Sequence, residues 1–164
     1  MLNFSKSLLS FLILFGLQSL AVRVANTDWN TLAVIGDAGV VKPSTQTLRD
    51  LLVKSNLKQM VVLGDNMYNS FDTYENVWDS WKKLGLEFTV LTIGNHNSGY
   101  AKEIKYFNLP AENYYKEIGG ALFIVLNSDN KATANSQIQW VDNVLLQSNY
   151  KMNFLVYHHP SVSL

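Results

Sequence analysis

The chain has 164 residues, with 13 Lys and Arg against 13 Asp and Glu, so its formal net charge is zero. That balance gives no electrostatic footprint for nucleic acid, and no nucleic-acid partner is expected. Cysteine is absent, which excludes a disulfide framework and a thiolate metal site and leaves oxygen and imidazole as the ligands for any metal.

In chain order, Lys6 precedes an apolar run, Leu8–Leu17, and Gln18-Ser19-Leu20-Ala21 supplies a small-x-small ending. A basic start, a short apolar stretch and such an ending predict a secretory signal peptide over residues 1–21, cleaved after Ala21. The run falls short of the roughly 20 apolar residues that span a bilayer, so no stable membrane span is expected after cleavage. The expected route is the secretory pathway, with a secreted or lysosomal/vacuolar destination. The sequon at Asn3 lies inside the leader, so the mature chain is expected to carry no N-glycan.

Residues 22–164 read as one domain. After a polar linker to about Asn30, Thr31–Ile35 predicts a strand. Pro43 and Ser44 open a helix over Thr45–Ser55, with Leu48, Leu51 and Leu52 at helical spacing. Gln59–Gly64 predicts a second strand. Phe71, Tyr74, Val77, Trp78 and Trp81 recur at threes and fours, predicting a helix over Phe71–Leu84 whose aromatic stripe packs into the core. Glu87–Ile93 predicts a third strand. Strand–helix–strand–helix–strand is the pattern of βαβ crossovers and a parallel sheet. Further on, Tyr100–Tyr106 predicts a short helix ended by Pro110. Asn113–Ile118 and Ala121–Asn127 predict a hairpin turning at Gly119-Gly120. Ser136–Leu146 predicts a helix with Ile138, Val141, Val144 and Leu145 on one face, and Lys151–Tyr157 a last strand.

The polar residues collect where these strands end. Gly36-Asp37-Ala38-Gly39 closes the first, Gly64-Asp65-Asn66-Met67-Tyr68 the second and Gly94-Asn95-His96-Asn97 the third, while His158-His159-Pro160 follows the last. In α/β sheets ligands gather outside the carboxyl ends of the strands. All three histidines, His96, His158 and His159, fall at strand ends. Taken singly, each residue has an ordinary reading: Asp37 and Asp65-Asn66 as turn residues, Tyr68 as a packed aromatic, His158-His159 as solvated imidazoles. Together, two carboxylates, an amide oxygen, a phenol and imidazoles at one sheet edge suit iron, zinc or manganese. A shared carboxylate would permit the two-metal arrangement used in phosphoryl displacement.

These motifs resemble the calcineurin-like metallophosphoesterases, and Tyr68, three residues after Asp65, narrows the likeness to purple acid phosphatases of the small tartrate-resistant type. The likeness runs from about Thr31 to the end of the chain and includes Gln137-Ile138-Gln139-Trp140-Val141. It implies an α/β fold, the metallophosphoesterase α/β/β/α sandwich, with a dinuclear metal centre of Fe(III) with Fe(II), Zn or Mn. Asp37 and Tyr68 would bind the first ion, the latter as phenolate. Asp65 would bridge, and Asn95 and His158 would bind the second ion. Adjacent histidines on an extended chain point opposite ways; the family's His-x-Pro pattern selects His158 over His159. His96 would be the catalytic residue, positioning phosphate or protonating the leaving group. The implied function is a metal-dependent acid phosphatase that hydrolyses small phosphorylated substrates, phosphomonoesters, by attack of a metal-bound hydroxide.

The chain departs from the family pattern in three places. The closing Gly-His-x-His motif is absent, which leaves each ion three protein ligands; the sandwich is expected to be incomplete at the C-terminus and the chain a truncated copy or the product of an incomplete gene model. Asn97 stands where the family carries an acid that orients the imidazole. Tyr157 stands where a small residue is often found. The alternative expectation is therefore a catalytically impaired metallophosphoesterase-fold protein with no turnover. A phosphodiesterase or nucleotide hydrolase is disfavoured by Tyr68, and a nucleotide-binding domain by the absence of a Gly-rich loop opening a helix.

Overall fold

The computed structural model describes residues 11–14, 31–69 and 71–160. Among them the chain is a mixed α/β protein with two small sheets and four α-helices. The expected leader, residues 1–21, lies outside the described residues except for Phe11–Leu14. That segment is strand β1, paired in parallel with Leu32–Ile35, strand β2.

Helix α1, Pro43–Lys54, starts where Pro43 presets φ for a first turn, and Thr45 Oγ1 accepts the Lys42 N–H at 3.0 Å. Strand β3, Gln59–Val62, precedes helix α2, Tyr74–Lys83. Thr73 caps α2, accepting the Asn76 N–H at 3.3 Å. This cap sets the start three residues later than the aromatic spacing predicted, and Phe71 stands outside the helix, 92% exposed. Tyr74, Val77, Trp78 and Trp81 are buried as the stripe predicted. Strand β4, Glu87–Leu91, and helix α3, Tyr100–Phe107, follow. Asn108, in the left-handed region at φ 54°, ends α3.

Strands β5, Tyr114–Ile118, and β6, Ala121–Val125, form the predicted antiparallel hairpin. Gly119 (φ 57°) and Gly120 (φ 81°) both take positive φ, as a two-residue turn of matching twist requires. A 3-10 turn, Lys131–Thr133, leads into helix α4, Ala134–Gln147, and strand β7, Met152–Val156, ends the fold. On α4 the half-buried face carries Gln137, Trp140, Val141 and Val144. Ile138, predicted to share that face, is 60% exposed, and Leu145 is exposed as well; a 3.6-residue period places residues on an arc without fixing which part of it meets the core.

The first sheet has the order β1-β2-β3-β4, all parallel, and the second the order β5-β6-β7, with β7 parallel to β6. Side chains alternate between two cores, as the two-residue period of strands requires. Ala33, Ile35, Met60, Val62 and Leu91 pack with Leu52, Tyr74, Trp78 and Trp81 from the helices. Leu32, Val61 and Val90 pack with Tyr114, Phe123, Val125 and Val156 from the second sheet. A buried aromatic or branched side chain of this kind stabilises by about 1.5–3 kcal/mol. The two sheets are also stitched by Tyr114, whose hydroxyl accepts the Leu91 N–H at 3.0 Å and donates to the Leu91 carbonyl at 2.9 Å. Backbone groups at the β4 edge thus gain partners from the neighbouring sheet. Among the described residues no helix is long and apolar enough to cross a membrane.

Candidate metal centre

Asp37 follows β2, Asp65 follows β3, Asn95 and His96 follow β4, and His158 follows β7. Parallel register aligns the ends of β2, β3 and β4, and the second sheet delivers His158 to the same edge.

The turns carry their strain on the carboxylates themselves. Gly64, which introduces Asp65, takes part of the bend at φ 89°. Asp37 (φ 58°) and Asp65 (φ 55°) are also left-handed, a conformation that costs a non-glycine residue on the order of 1 kcal/mol or more and that clusters at functional sites. Gly94 serves a different need. A Cβ there would collide with the backbone N and the carboxylate of Asp65. A Cβ on Gly64 would fall 2.8–2.9 Å from the His158 imidazole. Both glycines let side chains of the cluster approach backbone.

Backbone bonds weld the loops together. Gly39 N–H donates to Asp65 O at 3.1 Å, Tyr68 N–H to Gly39 O at 3.0 Å and Met67 N–H to His96 O at 3.3 Å. The His96 N–H donates to Asp65 Oδ1 at 3.0 Å. One donor atom each from Asp37, Asp65 and His158 lies within 4.8 Å of the others, a grouping able to hold a metal ion. Tyr68 and Asn95 join it: the Tyr68 hydroxyl donates to Asp37 Oδ1 at 2.7 Å, and Asn95 Oδ1 lies 3.1 Å from His158 Nε2. Burial first, then the bond to Asp37, pushes the Tyr68 phenol above its usual range.

His158 carries the most specific geometry. Its Nδ1 lies 2.7 Å from the Leu63 carbonyl, which only accepts, so Nδ1 holds a proton and donates it. Its Nε2 lies 3.1 Å from Asp65 Oδ1 and 3.1 Å from Asn95 Oδ1. A neutral ring would turn a lone pair on Nε2 toward two acceptor oxygens. A cation among the three atoms, a second proton or a metal ion, removes that conflict. Nδ1–H on a backbone carbonyl with Nε2 facing the site is also the arrangement of metal-binding histidines. His159 is held elsewhere, its Nδ1 lying 3.0 Å from Ser128 Oγ.

His96 is exposed beside the cluster, its ring 4.6 Å from that of Tyr68. Asn97 donates to the Gly94 carbonyl at 2.9 Å and accepts the Gly99 N–H at 2.8 Å. It shapes the loop.

Two residues that motif reading passed over support the cluster. Ser128 Oγ accepts the backbone N–H of His158 at 3.2 Å and of His159 at 3.0 Å. Its signal was present in the polar run Asn127-Ser128-Asp129 at the end of β6, the same plan as the other strand ends. Glu103, on α3, is fully buried beneath the Asp65 turn and accepts from Asn66 Nδ2 and from the Tyr74 hydroxyl. A hollow of about 370 Å³ lined by Gln59, Glu87, Thr89 and Lys116 opens at the starts of β3 and β4, and none of the cluster residues lines it.

A scan of protein-family models finds none that matches this chain, and a search of curated proteins finds no match.

Proposed function

We propose that the protein is a metal-dependent phosphatase acting on phosphomonoesters, with the metallophosphoesterase sandwich as its fold. The observation that carries the reading is His158 Nε2 set 3.1 Å from Asp65 Oδ1 with Nδ1 committed to a carbonyl. The donor set of carboxylate, phenol, amide and imidazole fits hard-to-borderline ions and excludes soft ones. In this reading Asp37 and Tyr68 would hold one ion and Asn95 and His158 a second, with Asp65 available to both, the pair being Fe(III) with Fe(II), Zn or Mn. When bound, the ions supply an acidified water and positive charge toward the phosphoryl oxygens.

The chain's own residues do the rest. Asp65, fixed by the His96 N–H, holds the loops after β3 and β4 at a set separation. In this reading His96, exposed with its ring tilted 4.6 Å from that of Tyr68, would position the ester or protonate the departing alcohol. Tyr68 donates its phenol proton to Asp37 at 2.7 Å and would give that proton up as a ligand, so loading would release a proton. The secretory route expected from residues 1–21 belongs to the same proposal.

A second reading, a metal-binding fold without turnover, is favoured by one observation. Only Asp37, Asp65 and His158 form a compact donor group among the described residues, enough for one ion. The test is p-nitrophenyl phosphate hydrolysis at mildly acidic pH by the full chain reloaded with iron and zinc. The phosphatase reading expects saturable turnover abolished by a chelator and lowered about 100-fold or more in Asp65→Asn. Metal uptake with no turnover in the wild type selects the second reading.

A further inference from the structure

Glu103 is the one charged residue among the described residues that is fully buried away from the metal-ligand set, and its two carboxyl oxygens reach Asn66 in the turn after β3 and Tyr74 at the start of α2. A carboxyl in such a place is costly to hold unless its oxygens are satisfied. Oε1 accepts from Asn66 Nδ2, and Oε2 accepts from the Tyr74 hydroxyl at 3.1 Å. Asn66 follows Asp65 directly and is itself fixed twice more, its Nδ2 donating to the Thr92 carbonyl at 3.0 Å and its own carbonyl accepting Trp78 Nε1–H at 2.8 Å. Tyr74 in turn accepts the Ser98 N–H at 3.3 Å, two residues past His96. One carboxyl therefore ties the Asp65–Tyr68 turn to the Asn95–Ser98 loop from beneath, while Met67 N–H on His96 O ties them directly at 3.3 Å.

We propose that Glu103 is a positioning residue for the cluster, clamping the Asp65 turn and the His96 loop into one rigid frame through Asn66 and Tyr74. The metal consequence rests on the proposed function; the clamping of the two loops does not. Burial has pushed the Glu103 carboxyl up to about 7, in keeping with a group held in place against its solvation.

The test compares the wild type, Glu103→Ala and Glu103→Gln as full chains, first without metal, by residue-resolved amide hydrogen exchange. A clamp predicts that in Glu103→Ala the Met67 and His96 amides exchange about 10-fold faster or more, while Leu122 and Ile124 in β6 keep their rates. Glu103→Gln retains one acceptor and should recover most of the protection; should the alanine variant not fold, a few-fold loss at Met67 and His96 in the glutamine variant is the expected sign. Zinc titration then reads the consequence: an affinity lowered about 10- to 100-fold in Glu103→Ala and less in Glu103→Gln, the range for residues that orient ligands. Unchanged exchange at Met67 and His96, or equal acceleration at Met67, His96, Leu122 and Ile124, overturns the clamp, the latter result marking simple destabilisation. Equal zinc affinity in wild type and Glu103→Ala overturns the positioning role and leaves the metal reading intact. If the wild type takes up no zinc while the exchange pattern is as predicted, the clamp stands and the metal reading falls.

Discussion

His158 Nε2 lies 3.1 Å from Asp65 Oδ1, although the two residues come from different sheets and are far apart in the chain. The contact joins the end of β7 to the end of β3, so the cluster forms only when both sheets are in place. Removing either partner leaves the other half of a buried pair without compensation. His158→Ala is expected to lower zinc affinity by more than 10-fold in calorimetry, and Asp65→Asn by at least as much, since Asp65 also anchors the His96 N–H.

Two of the glycines with positive φ, Gly64 and Gly85, separate strain from collision. At Gly64, φ is 89° and a Cβ would meet the His158 ring; at Gly85, φ is 77° and nothing lies within 4 Å. Gly85→Ala should cost about 1 kcal/mol from backbone strain alone and leave zinc affinity unchanged. Gly64→Ala should cost about 1 kcal/mol more and weaken zinc binding, because the imidazole must move. Urea unfolding with a parallel zinc titration reads both.

Stability should depend on pH through Glu103. Burial raises its carboxyl from 4.5 to about 7, so the folded chain keeps a proton that the unfolded chain has released. The stabilisation is complete below pH 4.5, falls as pH rises, and is gone above about 7. The loss is on the order of 3 kcal/mol. Asn66 and Tyr74 face the carboxyl, and the charges of Asp65 and His158 act on it from farther off. Glu103→Gln cannot titrate, so the wild-type-minus-variant difference in unfolding free energy should slope downward across that window. A flat difference curve contradicts the assignment.

Tyr114 joins the sheets through both backbone groups of Leu91. Tyr114→Phe keeps the ring and removes the hydroxyl, leaving a buried N–H and C=O without that partner. The expected cost is about 1–3 kcal/mol in thermal or urea unfolding.

Much of this architecture is local in origin, and so was readable. The largely apolar, β-branched runs at 31–35, 59–64 and 87–93 contain β2, β3 and β4, and Gly plus a polar residue marks each end. Gly119-Gly120 dictated the hairpin in the same local way. What escaped depends on the third dimension. Phe71 continues the aromatic spacing of α2, yet Thr73 caps the helix before Phe71 can join it. Ile138 satisfies the period of α4 and still faces outward. The apolar run around Phe11–Leu14 has the composition of a leader and also of a strand, and the parallel pairing with β2 follows from an edge that no sequence window contains. Glu103 lay in an ordinary-looking helix; only the packing of α3 under the Asp65 turn gives it a role.

The most direct test of the metal centre is zinc binding to the purified, chelator-stripped full chain, followed by calorimetry beside His158→Ala. The account predicts saturable uptake by the wild type, weakened more than 10-fold in the variant, with a proton released as the Tyr68 phenol ligates. No uptake by the folded wild type, or uptake of equal affinity in the His158 variant, would contradict it.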